Sequence, residues 1–186
     1  MTRKPKPPSP GNGAPDIEAM IRVDHAGEYG AVRIYEGQLA VLRRRQGTER
    51  SVATIAHMAE QEQRHLKAFD KMINERRVRP TALEPVWRIA GFALGAATAA
   101  MGEKAAFACT AAVEEVIDEH YAAQIAALED GKDPALKSAV EDFRADEAAH
   151  RDTALAAGAE QAPGYKLLCE TIKAGCRIAI KLSERI

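Results

Sequence analysis

Glu62-Gln63-Arg64-His65 and Glu147-Ala148-Ala149-His150 are the stretches that decide how this chain is read. On a helix, residues three apart share a face, so each stretch offers a carboxylate and an imidazole to one point. One copy of Glu-x-x-His carries little, because a glutamate-rich helical chain produces it by accident. The flanking glutamates change that. Glu28 precedes Glu62 by 34 residues, and Glu114 precedes Glu147 by 33. The midpoint of the first pair is residue 45, beside Gln46-Gly47-Thr48, and that of the second falls between Asp130 and Gly131. In an antiparallel helix pair, residues equidistant from the turn lie level. Glu28 therefore stands beside Glu62 and His65, and Glu114 beside Glu147 and His150. The second set follows the first by 86 or 85 residues, which reads as a duplicated helical hairpin.

Helix breakers agree with this division. The pattern predicts helices over about 17–45, 49–77, 86–101, a fourth to about 128, then 134–157 and 165–184. Pro80 stops the second helix, since a residue ahead of proline avoids the α region. Pro85 and Pro134 sit where first turns accept proline. No segment shows sustained period-2 alternation, so strands are not expected. Residues 1–16 read as a disordered, weakly basic, proline-rich tail without the apolar core of a secretory signal. Residues 17–186 read as one domain. The expected fold class is all-α: a ferritin-like four-helix bundle with two additional helices, built on internally duplicated helical hairpins.

Composition supports the class. The chain has 186 residues, 46% hydrophobic and 5% aromatic, enough for one core. Its formal charge is −1, which gives no reason to expect nucleic acid as a partner. Cys109, Cys169 and Cys176 form no Cys-x-x-Cys pair and read as small buried hydrophobes in a reducing compartment.

Stacking the two hairpins brings Glu28, Glu62, Glu114, Glu147, His65 and His150 together at mid-bundle. Four buried carboxylates repel one another unless cations neutralise them. Oxygen-rich donors with two imidazoles suit Fe(II) or Mn(II) and not a cysteine-rich zinc site. Around them stand weaker candidates. Tyr121 is seven past Glu114, nearly on the same face, and either hydrogen-bonds near the metals or packs. His120 is off that face by about 120° and would act at one remove or on the substrate side. Asp24 and His25 stand one turn before Glu28 and could support the site. His57 reads as a surface histidine, and Glu36, Glu60, Glu115, Glu119 and Glu141 as solvated faces.

Residues 89–102 carry no charge, a run of 14 against the roughly 20 that cross a bilayer. Two readings stay open for it. It is either a buried core helix or a helix whose apolar face meets a membrane or a greasy ligand.

Beyond the metal ligands, Arg22–Ala31 (RVDHAGEYGA), Arg77–Thr81 (RVRPT), Gly91–Ala96 (GFALGA), Ala108–Glu115 (ACTAAVEE) and Ala174–Arg185 (AGCRIAIKLSER) resemble the demethoxyubiquinone hydroxylases of ubiquinone biosynthesis. The resemblance runs from about residue 17 to the C-terminus. It implies a flavin-free di-iron monooxygenase that hydroxylates the ring of demethoxyubiquinone with O2 and two electrons. It further implies one iron on Glu28, Glu62 and His65, the other on Glu114 and His150, with Glu62 and Glu147 bridging. An apolar channel for the polyprenyl tail of the quinone, a peripheral place on a membrane surface, and NADH as electron donor are implied likewise. Arg22 and Arg177 match recurrent family positions and would receive the nicotinamide cofactor, while His120 and Tyr121 stand as catalytic candidates. A partner protein of the same biosynthesis would assist. Gly131-Lys132-Asp133 departs from the family as a shorter turn at a bundle end.

The short tail favours the cytoplasmic face of a bacterial inner membrane over the matrix side of the mitochondrial inner membrane. The same donor set also serves ferritin-like or rubrerythrin-like proteins that store iron or reduce peroxide, because a fold does not dictate a reaction. A structural membrane-associated bundle without catalysis is the third class.

Overall fold

A computed structural model describes residues 16–129 and 131–186, so the tail expected over residues 1–16 lies, but for Asp16, outside the described residues. Among the described residues the chain forms helices and no strand: α1 Ile17–Leu42, α2 Glu49–Arg76, α3 Glu84–Met101, α4 Glu103–Ala127, α5 Pro134–Ala156 and α6 Tyr165–Ser183. A single 3-10 turn, Ala159–Gln161, sits between α5 and α6 and was not foreseen.

Local chemistry sets the ends. The Asp16 side chain accepts from Ala19 N at 3.1 Å and caps α1, so the last residue assigned to the tail belongs to the domain. The expected extension of α1 to residue 45 does not occur. The Thr48 hydroxyl donates to the carbonyls of Leu42 at 2.7 Å and Arg45 at 3.0 Å, turning the chain three residues early. α2 ends on Arg77 in the left-handed region, φ 56°, with Val78 N reaching back to Ile73 O. Gly102, at φ 125°, makes the corner between α3 and α4. Asp133 caps α5 by accepting from Leu136 N at 3.0 Å.

α1 pairs with α2 and α4 with α5, as the duplicated hairpin requires, while α3 lies along α1 and α6 along α4. The approach of α3 to α1 is a backbone-to-backbone contact. A Cβ on Gly95 would stand 1.9 Å from Ile34 O, and one on Gly37 2.2 Å from Phe92 O. The C-terminal end of α6 is latched by three bonds. Arg22 Nη1 donates to Glu184 O at 3.1 Å, Ala82 N to Ile186 O at 3.0 Å, and Trp87 Nε1 to Ser183 Oγ at 3.0 Å.

Two apolar clusters fill the bundle. One surrounds Leu39, Leu42, Ile55 and Met58 near the α1–α2 turn, and the other surrounds Ile21, Phe69, Leu128 and Val140. The six predicted ligands fall in sequence between these clusters, so a polar layer lies between two greasy ones. The uncharged run 89–102 is neither wholly core nor wholly exposed. Gly91, Gly95, Thr98 and Ala99 are buried against the bundle, while Ile89 on the same helix is 71% exposed. Among the described residues, no helix is long and apolar enough to cross a membrane.

Candidate metal centre

Four glutamates and two histidines meet at the middle of the bundle, one from each of α1 and α4 and two from each of α2 and α5. Their donor atoms form two overlapping sets, Glu28–Glu62–His65–Glu147 and Glu62–Glu114–Glu147–His150, with the atoms of each set within 4.8 Å of one another. Glu62 and Glu147 belong to both. All six side chains are buried.

Both imidazoles turn Nδ1 to the carboxylates. His65 Nδ1 lies 3.1 Å from Glu147 Oε1 and 3.4 Å from Glu28 Oε2, and His150 Nδ1 lies 3.0 Å from Glu62 Oε1 and 3.2 Å from Glu147 Oε2. The far nitrogens are held from behind. His65 Nε2 stands 2.9 Å from Asp146 Oδ2, and His150 Nε2 stands 3.2 Å from Gln61 Oε1. Asp146 only accepts, so the Nε2 of His65 carries the hydrogen and Nδ1 faces inward. The lone glutamates are held crosswise. Tyr35 on α1 donates to Glu114 Oε1 at 2.8 Å, and Tyr121 on α4 donates to Glu28 Oε1.

The electrostatics are those of a site built for cations. Burial lifts the carboxyls of Glu28 and Glu114 above the usual range, and for Glu114 the neighbouring Glu147 and Glu62 carboxylates lift it further. Burial alone would depress the histidines. The carboxylates of Glu147 and Glu62 outweigh it at His150, which is raised to about 9, and those around His65 raise it as well. Burial, joined by Glu114 at Tyr35 and by Glu28 at Tyr121, keeps both phenols protonated and donating.

A metal fits these residues. Both oxygens of Glu62, Oε2 of Glu28 and Glu114, Oε1 of Glu147 and Nδ1 of His65 are buried and make no hydrogen bond. Buried acceptors left this way cost several kcal/mol in sum unless a cation takes them, at about 1–3 kcal/mol each. The hard oxygen donors with two imidazoles suit a pair of divalent iron or manganese ions, and no cysteine joins either set.

The remaining candidates distribute around this centre. Tyr121 touches Glu28. His120 does not join either set; its Nε2 lies 3.1 Å from Asp24 Oδ1, which also accepts from Gln124 at 2.7 Å. Buried His25 pairs with Asp70 at 3.0 Å, and His57 is exposed. Glu36, Glu60, Glu119 and Glu141 are exposed, while Glu115 is half-buried beside Lys173 at 3.0 Å. Arg22 is buried, and its guanidinium donates to the carbonyls of Arg79 and Glu184. Arg177 is exposed and pairs with Glu119 at 3.0 Å. Tyr35, Asp146 and Gln61 were missed. Tyr35 follows Glu28 by seven residues, just as Tyr121 follows Glu114, so the repeat itself held the signal.

Beside the centre, α1, α3, α4 and α6 line an apolar cavity of about 400 Å³ that opens to the surface. Gly30, Leu94, Ile117, Ile172 and Cys176 line it, together with Gly27 and Val113, the chain neighbours of Glu28 and Glu114.

The fold and site define an all-α protein with a buried centre of carboxylates and imidazoles able to hold a pair of metal ions. The family model described as ubiquinone biosynthesis protein COQ7 matches residues 15–183, and the chain belongs to that family. It is 53% identical over 184 residues to the 3-demethoxyubiquinol 3-hydroxylase of Rhodospirillum rubrum, covering 99% of this chain and 84% of that protein. It is 52% identical over 172 residues to the NADPH-dependent 3-demethoxyubiquinone 3-hydroxylase, mitochondrial, of Rattus norvegicus, covering 91% and 77%. The 5-demethoxyubiquinone hydroxylase, mitochondrial, of Saccharomyces cerevisiae is 41% identical over 184 residues, covering 91% and 78%.

Proposed function

We propose that this chain is a di-iron monooxygenase that hydroxylates the ring of demethoxyubiquinone with O2 in ubiquinone biosynthesis. The observation that carries the reading is the pair of donor sets sharing Glu62 and Glu147, set beside an apolar cavity. The names of the three relatives support the substrate. Iron storage or peroxide reduction, the rival use of such donors, gives no reason for a cavity of this size and chemistry.

Glu28, Glu62 and His65 would hold one iron and Glu114 and His150 the other, with Glu62 and Glu147 shared between them. The chemistry supplied by a bound iron pair is reduction of O2 with delivery of one oxygen atom to the ring. The chain's own contribution is placement, dryness and proton control. Asp146 and Gln61 fix the imidazoles, and Tyr35 and Tyr121 hold one oxygen of each lone glutamate. The aliphatic walls of the cavity exclude water and accept the polyprenyl tail, which brings the ring towards Gly27 and Val113. Tyr121 acts by holding Glu28, and His120 is held by Asp24.

A quinone with a long apolar tail is drawn from lipid. Exposed Ile89 on α3 and Leu167 and Ile178 on α6 favour a peripheral seat on a membrane surface, and we assign it to the cytoplasmic face of a bacterial inner membrane. The electron donor is a reduced nicotinamide dinucleotide. Of the two arginines, Arg177 is the surface group left to meet its phosphates. A partner protein of the same biosynthesis would present the substrate. Quinone profiling of cells lacking the chain tests the substrate: accumulated demethoxyubiquinone supports the reading, and unchanged ubiquinone sinks it.

A further inference from the structure

Duplication gives this molecule a comparison within itself. Each donor set contains Glu62, Glu147, one lone glutamate and one histidine. Each lone glutamate accepts from a tyrosine of the opposite hairpin, and each histidine turns Nδ1 inward. The chemistry diverges behind the rings. His65 Nε2 rests on the carboxylate of Asp146 at 2.9 Å, and His150 Nε2 on the amide oxygen of Gln61 at 3.2 Å. Asp146 and Gln61 each stand one residue before the glutamate of Glu-x-x-His, so they are the same position in the two copies.

The two are also joined. Gln61 Nε2 donates to Asp146 Oδ1 at 3.3 Å, which fixes the orientation of the amide and leaves its oxygen for His150. A string runs from His65 through Asp146 and Gln61 to His150, with its negative charge at the His65 end. Phe143 adds to the difference by stacking on the His65 ring at 4.2 Å, whereas His150 meets Tyr35 edge-on at 6.4 Å.

We infer that the two metal positions are inequivalent, the one built on His65 binding a divalent cation more tightly and filling first because Asp146 backs its imidazole. This rests on the dinuclear reading above. A histidine that donates to a metal becomes partly positive, and a carboxylate behind it stabilises that charge more than a neutral amide does. Arg64, which also pairs with Asp146, reduces the effect. It does not cancel it, because its side chain is 53% exposed and solvent screens an arginine of that kind.

The test is titration of the full-length, metal-free protein with Mn(II), followed by calorimetry and by electron paramagnetic resonance. Asp146→Asn raises the dissociation constant of the first step about tenfold or more, the range typical of partners behind a ligand. Asp146→Glu, which keeps the charge, restores most of that loss. Gln61→Ala weakens the second step more than the first. Circular dichroism of each variant separates weakened binding from lost helix. Equal weakening of the same step by Asp146→Asn and Gln61→Ala, or no change in either, overturns the inequivalence while leaving a dinuclear site. Failure of the wild-type protein to take up Mn(II) overturns the dinuclear reading, and this inference with it.

Discussion

The hydroxyl of Tyr35 on α1 donates to Glu114 on α4 at 2.8 Å, joining one hairpin to the candidate metal ligand of the other. Tyr121 returns the bond to Glu28, so the two hairpins are fastened by a reciprocal exchange at the centre itself. Each bond occupies Oε1 and leaves Oε2 of its glutamate buried without a hydrogen bond, free for a cation.

Tyr35→Phe removes the donor and keeps the ring. The expected result is metal affinity lowered by roughly tenfold. Stability of the metal-free protein falls by about 1 kcal/mol, the net worth of one buried hydrogen bond. Competition with a chelator reads the first and denaturant unfolding the second. Unchanged metal retention contradicts the role given to the phenol.

The metal-free protein should lose stability as pH rises. Burial raises Glu28 and Glu114, and the Glu147 and Glu62 carboxylates overcome burial to raise His150 from 6.5 to about 9. In each case the folded chain holds a proton that the unfolded chain has released, so stability is fullest below the unfolded value and drains as pH climbs through the folded one. For His150 the window is 6.5 to about 9. A melting temperature that is lower at pH 9 than at pH 6.5 is expected after chelation. Bound metal replaces those protons, so its affinity moves the other way and rises with pH. A chelated protein more stable at pH 9 contradicts the assignment.

Gly95→Ala and Gly30→Ala should act in opposite directions. A Cβ at Gly95 stands 1.9 Å from Ile34 O, forcing α3 off α1, and a loss of about 2 kcal/mol or more is expected. At Gly30 a Cβ meets nothing within 4 Å, and the helix gains up to about 1 kcal/mol from alanine. Equal changes in denaturant unfolding exclude the close-approach account of the α1–α3 contact.

Arg22→Gln should lower the melting temperature, since it frees the carbonyls of Arg79 and Glu184 and loosens the latch on α6. Arg177→Gln, at an exposed pair with Glu119, should leave the melting temperature unchanged and raise KM for the proposed nicotinamide donor. Steady-state kinetics beside thermal melts distinguish them. A raised KM with an unchanged melting temperature for Arg22→Gln reverses the assignment.

The common level of the six clustered glutamates and histidines was legible in the sequence because a helical hairpin makes distance from the turn equal to height in the bundle. Helix ends were legible where proline or glycine set them, as at Pro134 and Gly102. At the end of α1 the arginines 43–45 read as continuing helix, and only the Thr48 hydroxyl, reaching back to Leu42 and Arg45, ends it. Asp146 and Gln61 were hidden for another reason. Each sits beside a ligand in sequence and contacts the histidine of the other hairpin, a relationship that exists only once the hairpins face each other. Arg22 was singled out by its match to a family position, and its burial against the backbone carbonyls of Arg79 and Glu184 is a tertiary relationship that no local pattern carries.

Single turnover under 18O2 tests the central claim most directly. The protein, loaded with iron and reduced, is mixed with demethoxyubiquinone in detergent, and the mass of the quinone product is read. One atom of 18O in a new ring hydroxyl, at an iron content near two per chain and absent from a Glu147→Ala protein, is the predicted result. A fully loaded protein that consumes O2 without labelling the ring, or a Glu147→Ala protein that labels it as well as wild type, contradicts the account.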